Sequence, residues 1–396
     1  MSSSNLVRLA FIPEVTYGVT PGAGNFTTAR FTSEGLSGTP QTVESQQIRT
    51  DRMSSGQVVV GLEVGGEVPF ELAKEDAIDS LIESAMYNTW NVLAPITVDL
   101  DIDTTAKEIT RSSGSWITDG IVVGDFLTMT GFSNAGNNTS QVMVAEVTSA
   151  TVIKYVGPTT LVTETATGTS FERADKISIG TTKKSFSIEK KFLDLTNKGI
   201  NYRGMIVNAL DLSFAYGALA TGSFGFSGND YQTFDAAADA LTFSRTLNAP
   251  ATSQTLNGSV DMPFLASDAV GTLDTTGFDL QSASLKLNNN LNAQNVIGDI
   301  APRDYTPGTA QINLDLTMYL KDGSWSILGK KLTQEPFALA FQVKNLDGWY
   351  GFYMPQAQVT FEDPSSGGQN QEILLSMTGT AKVGAAGESA LTIYRS

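Results

Sequence analysis

Twice in this chain, apolar and polar residues alternate over a long run. In "VVVGLEVGGEVPFEL", Val58 to Leu72, the side chains of Leu62, Val64, Val68, Phe70 and Leu72 fall on one face. Glu63, Glu67 and Glu71 fall on the other. In "TAQINLDLTMYL", Ile312, Leu314, Leu316, Met318 and Leu320 share a face. A period of two is the signature of a strand with one buried and one wet side. Each alternating run leads into a helix candidate. In "KEDAIDSLIESAMY" the apolar stripe is Ala77, Ile78, Leu81, Ile82, Ala85 and Met86, with Glu75, Asp76 and Asp79 in or near the first turn, where they suit the helix dipole. In "DGSWSILGKKL", Trp325, Leu328 and Leu332 stand at helical spacing.

Each alternating run is also preceded by a strand candidate and a long polar connection. The first pair is "TTARFTSEGLS" (27–37) and the stretch from Thr39 to Gln57. The second is "FDLQSASLKL" (278–287) and "NNNLNAQNVIGDIAPRDYTPG". The stretches from Ser37 to Arg52 and from Leu287 to Arg303 are nearly equal in length. Ile48, Asp51 and Arg52 have counterparts of similar type in Ile297, Asp299 and Arg303. Structureless connections this long are uncommon inside a domain unless they work. The recurrence predicts a duplicated unit. In the second, "PFALAFQVKN" and "GWYGFYMPQAQVTFE" read as a strand pair, and "QEILLSMTGTAKV" closes the unit.

Between the copies of this pattern the texture changes. Residues 96–172 are short strands joined by Asp-Gly, Gly-Asp and Asn-rich turns, with nine acids against three bases. They read as a small acidic all-β insertion at the surface. The parent unit resumes at "KKSFSIEKKFL" and runs through "NYRGMIVNALDLSFAYGALATGSFGFSG", where Ile206, Leu210, Leu212 and Phe214 share a face that Asn208 interrupts. The expected organisation is a first unit of 1–95 plus 173–228, an insert of 96–172, a linker of 229–273 and a second unit of 274–396.

The chain has neither Cys nor His. That removes disulfides, thiolate nucleophiles, Cys/His zinc sites and the base of the Ser-His-Asp triad. Its net charge is -16. Phosphate neutralisation needs clustered Lys and Arg, so wrapping nucleic acid is not expected, although a wall that DNA slides past is compatible. The N-terminal segment lacks a basic region followed by an apolar core, so no signal peptide is expected, and no apolar run approaches the roughly 20 residues of a spanning helix. A soluble protein made in the cytosol, with no membrane partner, is the expectation.

Several blocks carry a resemblance. "EVTYGVTPGAGNFTTARFTSEGL", "TVESQQIRTDR" and "GEVPFELAKEDAIDSLIESAMYNTW" are similar to the tail tube proteins of long, non-contractile-tailed bacteriophages. So are "GMIVNALDLSFAYGALATGSFGFSG" and "LNNNLNAQNVIGDIAPRDYTPGTAQINLDLTMYL". The resemblance implies two packed β-sheets with a flanking helix and a long loop, closing into rings of six-fold or pseudo-six-fold symmetry. Stacked rings would form a virion tail tube that carries DNA. It also implies a tape measure protein and DNA in the lumen, terminator and distal tail proteins at the ends, and no enzymatic activity or cofactor. Combined with the repeat, it predicts trimeric pseudo-hexameric rings, with homohexamers as the alternative. Glu67, Glu71 and Asp315 are candidates to line an acidic lumen. Glu44, Arg49, Asp51, Arg52, Asp299 and Arg303 are candidates for inter-subunit loop contacts.

Two other functions are open. One is a β-sandwich virion or surface protein that recognises glycans through the insert, with Trp116 and Tyr155 as stacking candidates. The other is a carboxylate glycosidase, whose acid separation no sequence displays. Local motifs are weak. Asp99, Asp101 and Asp103 form D-x-D-x-D, but Thr104 and Thr110 stand where a calcium loop wants Gly and Glu, and the alternation with Val98, Leu100 and Ile102 reads as a strand. "GSFGFSG" lacks the Gly-Lys-Ser/Thr of a phosphate loop. "KKSFSIEKK" is the one basic cluster, and it alternates like a strand.

Overall fold

Alternation becomes strand where it was expected. A computed structural model describes residues 3–48, 50, 51, 53, 56–158, 160–259, 264–267, 279–366, 368–384 and 387–396. It is mainly β, 48% strand, with two short α-helices. The first elements are β1 (Val7–Pro13), β2 (Phe26–Thr28), β3 (Ser37–Glu44), β4 (Gln57–Glu71) and α1 (Asp76–Met86). After eight short strands between Ile96 and Arg173 come β5 (Asp175–Ser178), β6 (Ser185–Phe192), β7 (Lys198–Ala215), β8 (Thr221–Gly228) and β9 (Asp230–Phe234). The remainder holds β10 (Leu280–Asn288), β11 (Asn292–Gln294), β12 (Asp304–Thr306), β13 (Gln311–Tyr319), α2 (Asp322–Thr333), β14 (Phe337–Lys344), β15 (Trp349–Phe361), β16 (Leu374–Lys382) and β17 (Thr392–Arg395).

The antiparallel pairings run in the same order in two parts of the chain. In the first they connect β3–β4–β8–β7–β6. In the second they connect β10–β13–β16–β15–β14. In each part the helix follows the second strand of the series. Ladders join the parts: β5 pairs with β17, from Asp175↔Arg395 to Ser178↔Thr392, and β7 pairs with β10, from Ala209↔Asn288 to Ala215↔Ser282. Strand β7 can do this because it is long. Its N-terminal part lies between β6 and β9, and its C-terminal part between β10 and β8. The register slips between Val207 and Ala209, so Asn208, which broke the apolar face in the sequence, sits at a bulge.

One core serves both parts. It includes Val68, Phe70, Leu210, Leu212, Phe224, Leu285, Leu314, Leu316, Phe341 and Phe352. Phe70 stacks on Phe224 at 4.7 Å, and Phe341 on Phe352 at 4.9 Å. Helix α1 buries its whole predicted stripe in this core.

The eight short strands form a separate antiparallel sheet with its own core of Leu100, Ile102, Ile109, Trp116, Leu127, Val144, Ile153 and Phe171. This sheet also leans on the second part. Phe126 meets Trp349 at 5.6 Å and Tyr394 at 5.2 Å. Buried Asp125 accepts from Tyr394 Oη (3.1 Å), Lys176 Nζ (2.8 Å) and the Val122 amide (2.9 Å). Among the described residues no helix is long and apolar enough to cross a membrane.

Four expectations change. Only Phe26–Thr28 of the stretch 27–37 and its surroundings is strand before β3 begins. Leu36 instead plugs the core, and its carbonyl accepts from Tyr202 Oη at 2.8 Å. The polar stretch from Thr39 to Gln57 is not a loop throughout, because Ser37–Glu44 pairs with Gln57–Gly65 as a projecting hairpin. Asp230–Phe234, read as linker, pairs with β7. In α2 Ser324 and Ile327 are buried, while Trp325 and Leu332 face solvent. Phe278 and parts of the expected linker lie outside the described residues.

Candidate functional site

The wet faces of β4, β8, β7, β10, β13, β16 and β15 form one continuous surface. The ladder registers define its rows. One row runs Glu71–Thr221–Ser213–Ser284–Asp315–Thr378–Thr360. The next runs Pro69–Ser223–Asp211–Lys286–Asn313–Thr380–Gln358. Glu71 and Asp315 therefore share a row, four strand steps or about 19 Å apart. Glu67 is one row beyond Pro69, opposite Gly225.

The chemistry of this face is uniform. Apart from charges it is mostly Ser, Thr, Asn and Gln. Glu63, Glu67 and Glu71 are exposed on β4. Asp315 is half-buried and holds Lys286 at 3.2 Å and Ser284 Oγ at 3.0 Å. Asp211 and Lys286 belong to the same surface, and sequence reasoning missed both. Burial raises the Asp211 carboxyl above its ordinary value; Lys286 draws it back, and Glu67 pushes it further up. A surface of hydroxyls, amides and a small excess of acid has few cations for a polyanion to grip.

The sheet ends in unpaired edges. Among the described residues, β3 pairs with β4 alone. Strand β15 loses β14 after the Phe337↔Ala357 pair, so Gln358–Phe361 has a ladder only to β16. The corresponding part of β7, beyond the end of β6, is where β10 joins.

The two long connections are brought together. The first is the β3–β4 hairpin, whose exposed apolar residues include Val43, Ile48, Met53, Val58, Val59 and Val60. The second is the small β11–β12 hairpin with Val296, Ile297 and Ile300 exposed near its tip. The Leu62 amide donates to the Ile300 carbonyl at 2.6 Å. Between them runs a groove of about 1040 Å³, lined by Thr39, Gln41, Val60 and Leu62 from one hairpin and Val296, Ile297 and Tyr305 from the other. The base of the second hairpin is fixed. Tyr305 Oη donates to the Gly228 carbonyl at 3.1 Å, and Lys183 forms an ion pair with Asp304 while lying 4.3 Å over the Tyr17 ring.

The loop candidates divide accordingly. Glu44 is exposed at the end of β3, opposite Gln57. Asp51 accepts from the Met53 amide at 3.2 Å. Asp299 and Arg303 pair with each other at 2.9 Å within their own tip. Arg49 and Arg52 lie outside the described residues. Within the insert, Trp116 and Tyr155 are core residues rather than an open stacking platform. Trp116 Nε1 donates to the Thr151 carbonyl at 3.0 Å, with the Arg111 guanidinium 5.0 Å over its ring. Asp99, Asp101 and Asp103 cap turns and strand partners: they accept from the Gly168 amide (2.8 Å), Thr165 Oγ1 (3.0 Å) and the Thr105 amide (2.8 Å).

One acid read from the sequence only as a partner of the helix dipole also ties the fold together. Asp79 on α1 is 3% exposed. It accepts from Tyr350 Oη (2.7 Å) and pairs with Lys74 (2.6 Å) and Arg395 (2.8 Å). An acid in a helix's first turn gives no sequence signal that distant residues converge on it.

No curated protein matches the chain. The description "phage tail tube protein" matches residues 4–381, nearly the whole length. Together with the mainly β fold, this places the chain in the phage tail tube protein family, structural and non-enzymatic proteins of the virion tail.

Proposed function

We propose that each chain contributes two tube modules, and that three chains close head to tail into a pseudo-hexameric ring. The observation that carries this reading is the repeated pairing order, β3–β4–β8–β7–β6 and β10–β13–β16–β15–β14, joined by β7–β10. The unfilled positions match that junction. The edge of β15 beyond Ala357 corresponds to the edge of β7 that holds β10, and β3 corresponds to β10. Adding β3 of one chain to β15 of the next would repeat the internal ladder between chains. Strand addition to an open edge is a common mode of assembly, and a heterologous contact closes when its rotation permits. The proposed division is 1–95 plus 173–228, 96–172, 229–273 and 274–396, with Asp230–Phe234 of the linker paired to β7 of the first unit.

In this reading the polar face, with Glu67, Glu71 and Asp315, lines the lumen, which holds the tape measure protein and then DNA. The two hairpins, with Glu44, Asp51, Asp299 and Arg303, carry contacts between rings. Terminator and distal tail proteins meet the ends of the tube. The insert decorates the ring. The burial of Trp116 and Tyr155 removes the aromatic platform on which the glycan-binding alternative relied.

Two experiments test this. A substitution that blocks strand addition, Thr42→Pro in β3, should leave a folded monomer that forms no tubes; normal tubes would contradict the head-to-tail edge. Glu67→Gln, Glu71→Gln and Asp315→Asn together should give tubes that assemble but eject DNA slowly. Unchanged ejection, with these positions on the outer wall, would end the lumen assignment.

A further inference from the structure

The two helices start alike and end alike. Each begins on an aspartate, Asp76 or Asp322, and each is stopped by a residue in the left-handed region, Tyr87 at φ 52° or Gln334 at φ 53°. Aligned at their starts, Leu81 and Ile82 of α1 fall on Ile327 and Leu328 of α2, and Leu81 and Ile327 are both buried. The same alignment sets Asp79 against Trp325 and Met86 against Leu332. Here the helices diverge. Asp79 and Met86 are 3% and 0% exposed, whereas Trp325 and Leu332 are 62% and 91% exposed.

The cover on α1 comes in part from the second half of the chain. Tyr350 and Arg395 close over Asp79, and Asn289 Nδ2 donates to the Ala85 carbonyl at 2.9 Å. Residues following β10, within β15 and within β17 thus complete a helix that belongs to the first half. Helix α2 stands in the same relation to a half that a second copy of the chain would supply. Trp325 and Leu332, seven residues apart, lie on one face of the helix, with half-buried Leu328 at its margin. An exposed Trp and Leu on one helix face, with charged residues around them, has the composition of an interface anchor.

We propose that the Trp325–Leu332 face of α2 is a docking surface for the first half of a second copy of this chain, closed between chains as α1 is closed within one. This rests on the head-to-tail reading above, and adds a second contact at the chain junction, distinct from the strand edge. The contact is asymmetric in chemistry. An acid with hydrogen-bond and ion-pair partners does the work inside the chain, and an aromatic anchor does it between chains. Such an exchange suits an interface that must exist first as a soluble surface.

The test uses the full chain. Trp116 and Trp349 are buried and Trp90 is partly buried, so acrylamide quenching of the monomer reports mainly on Trp325. On assembly, wild-type quenching should fall, and that fall should be absent in Trp325→Phe. The double variant Trp325→Ser, Leu332→Ser should melt like the wild type yet fail to form tubes, with Trp325→Phe assembling. Tubes in which Trp325 stays as quenchable as in the monomer would overturn the proposal, as would normal assembly of the double variant. The β3 edge is judged separately. If Thr42→Pro blocks tubes while the double variant does not, the head-to-tail reading stands and the α2 contact fails. If Thr42→Pro also assembles normally, the reading beneath it fails.

Discussion

The two halves of this chain share a plan and differ in closure. In the first, α1 is buried, the edge of β7 is filled by β10, and the acid at the fourth residue of the helix, Asp79, is surrounded by Tyr350, Lys74 and Arg395. In the second, α2 shows Trp325 and Leu332 to solvent, and the edge of β15 ends unpaired at Gln358–Phe361 among the described residues. The same plan thus carries a covered helix in the first half and an uncovered one in the second. The difference is local and chemically specific, as the proposed head-to-tail continuation requires.

Substitutions can sharpen that contrast. The largest expected loss is in the shared core: Phe224→Ala removes a buried ring stacked on Phe70 and should destabilise the monomer by about 3–5 kcal/mol in denaturant unfolding. Asp79→Ala should follow at roughly 3 kcal/mol, the low end for breaking a buried pair because Lys74 and Arg395 keep some contact with water. Its counterpart Trp325→Ala should shift monomer stability by no more than about 0.5 kcal/mol, the usual range for an exposed site. If Asp79→Ala were equally mild, the claim that the second half completes α1 would break. Tyr305→Phe should lose about 1 kcal/mol with the bond to Gly228, and should speed amide exchange between Leu291 and Thr306 without affecting the β3–β4 hairpin.

The smallest effect concerns pH. The folded-state carboxyl of Asp211 is raised, so ionising it opposes folding. That penalty is fully present above the raised folded value and gone below the ordinary unfolded value of 3.8. Asp211→Asn should therefore be slightly more stable than wild type at neutral pH, with the gain shrinking as pH falls through that window. A gain that grew on acidification would contradict the assignment.

Much of this was legible where burial is one-sided. The alternations of β4 and β13 and the stripe of α1 announce themselves because one face meets the core, whereas the β14–β15 pair reads as apolar runs because most of it is buried on both sides. The β3–β4 hairpin does not, because Thr39 to Val60 is exposed on both sides over much of its length and nothing enforces a period. Its polar composition therefore reads as loop although its backbone is paired. Helical spacing alone could not orient α2: Trp325, Leu328 and Leu332 line up well, but the face that enters the core is centred on Ile327. Glu71 and Asp315 could be matched by their place in the two alternations. Asp211 and Lys286 could not, since only the register across β7 and β10 sets them on that surface.

The central claim is that one chain supplies two positions of a ring and is continued by strand addition. A helical reconstruction of assembled tubes tests it most directly. The account predicts three chains per ring, with β3 of each chain antiparallel to β15 of its neighbour beyond Ala357, as β10 lies against β7. Six chains per ring, or a β3 edge left unpaired in the tube, would contradict it.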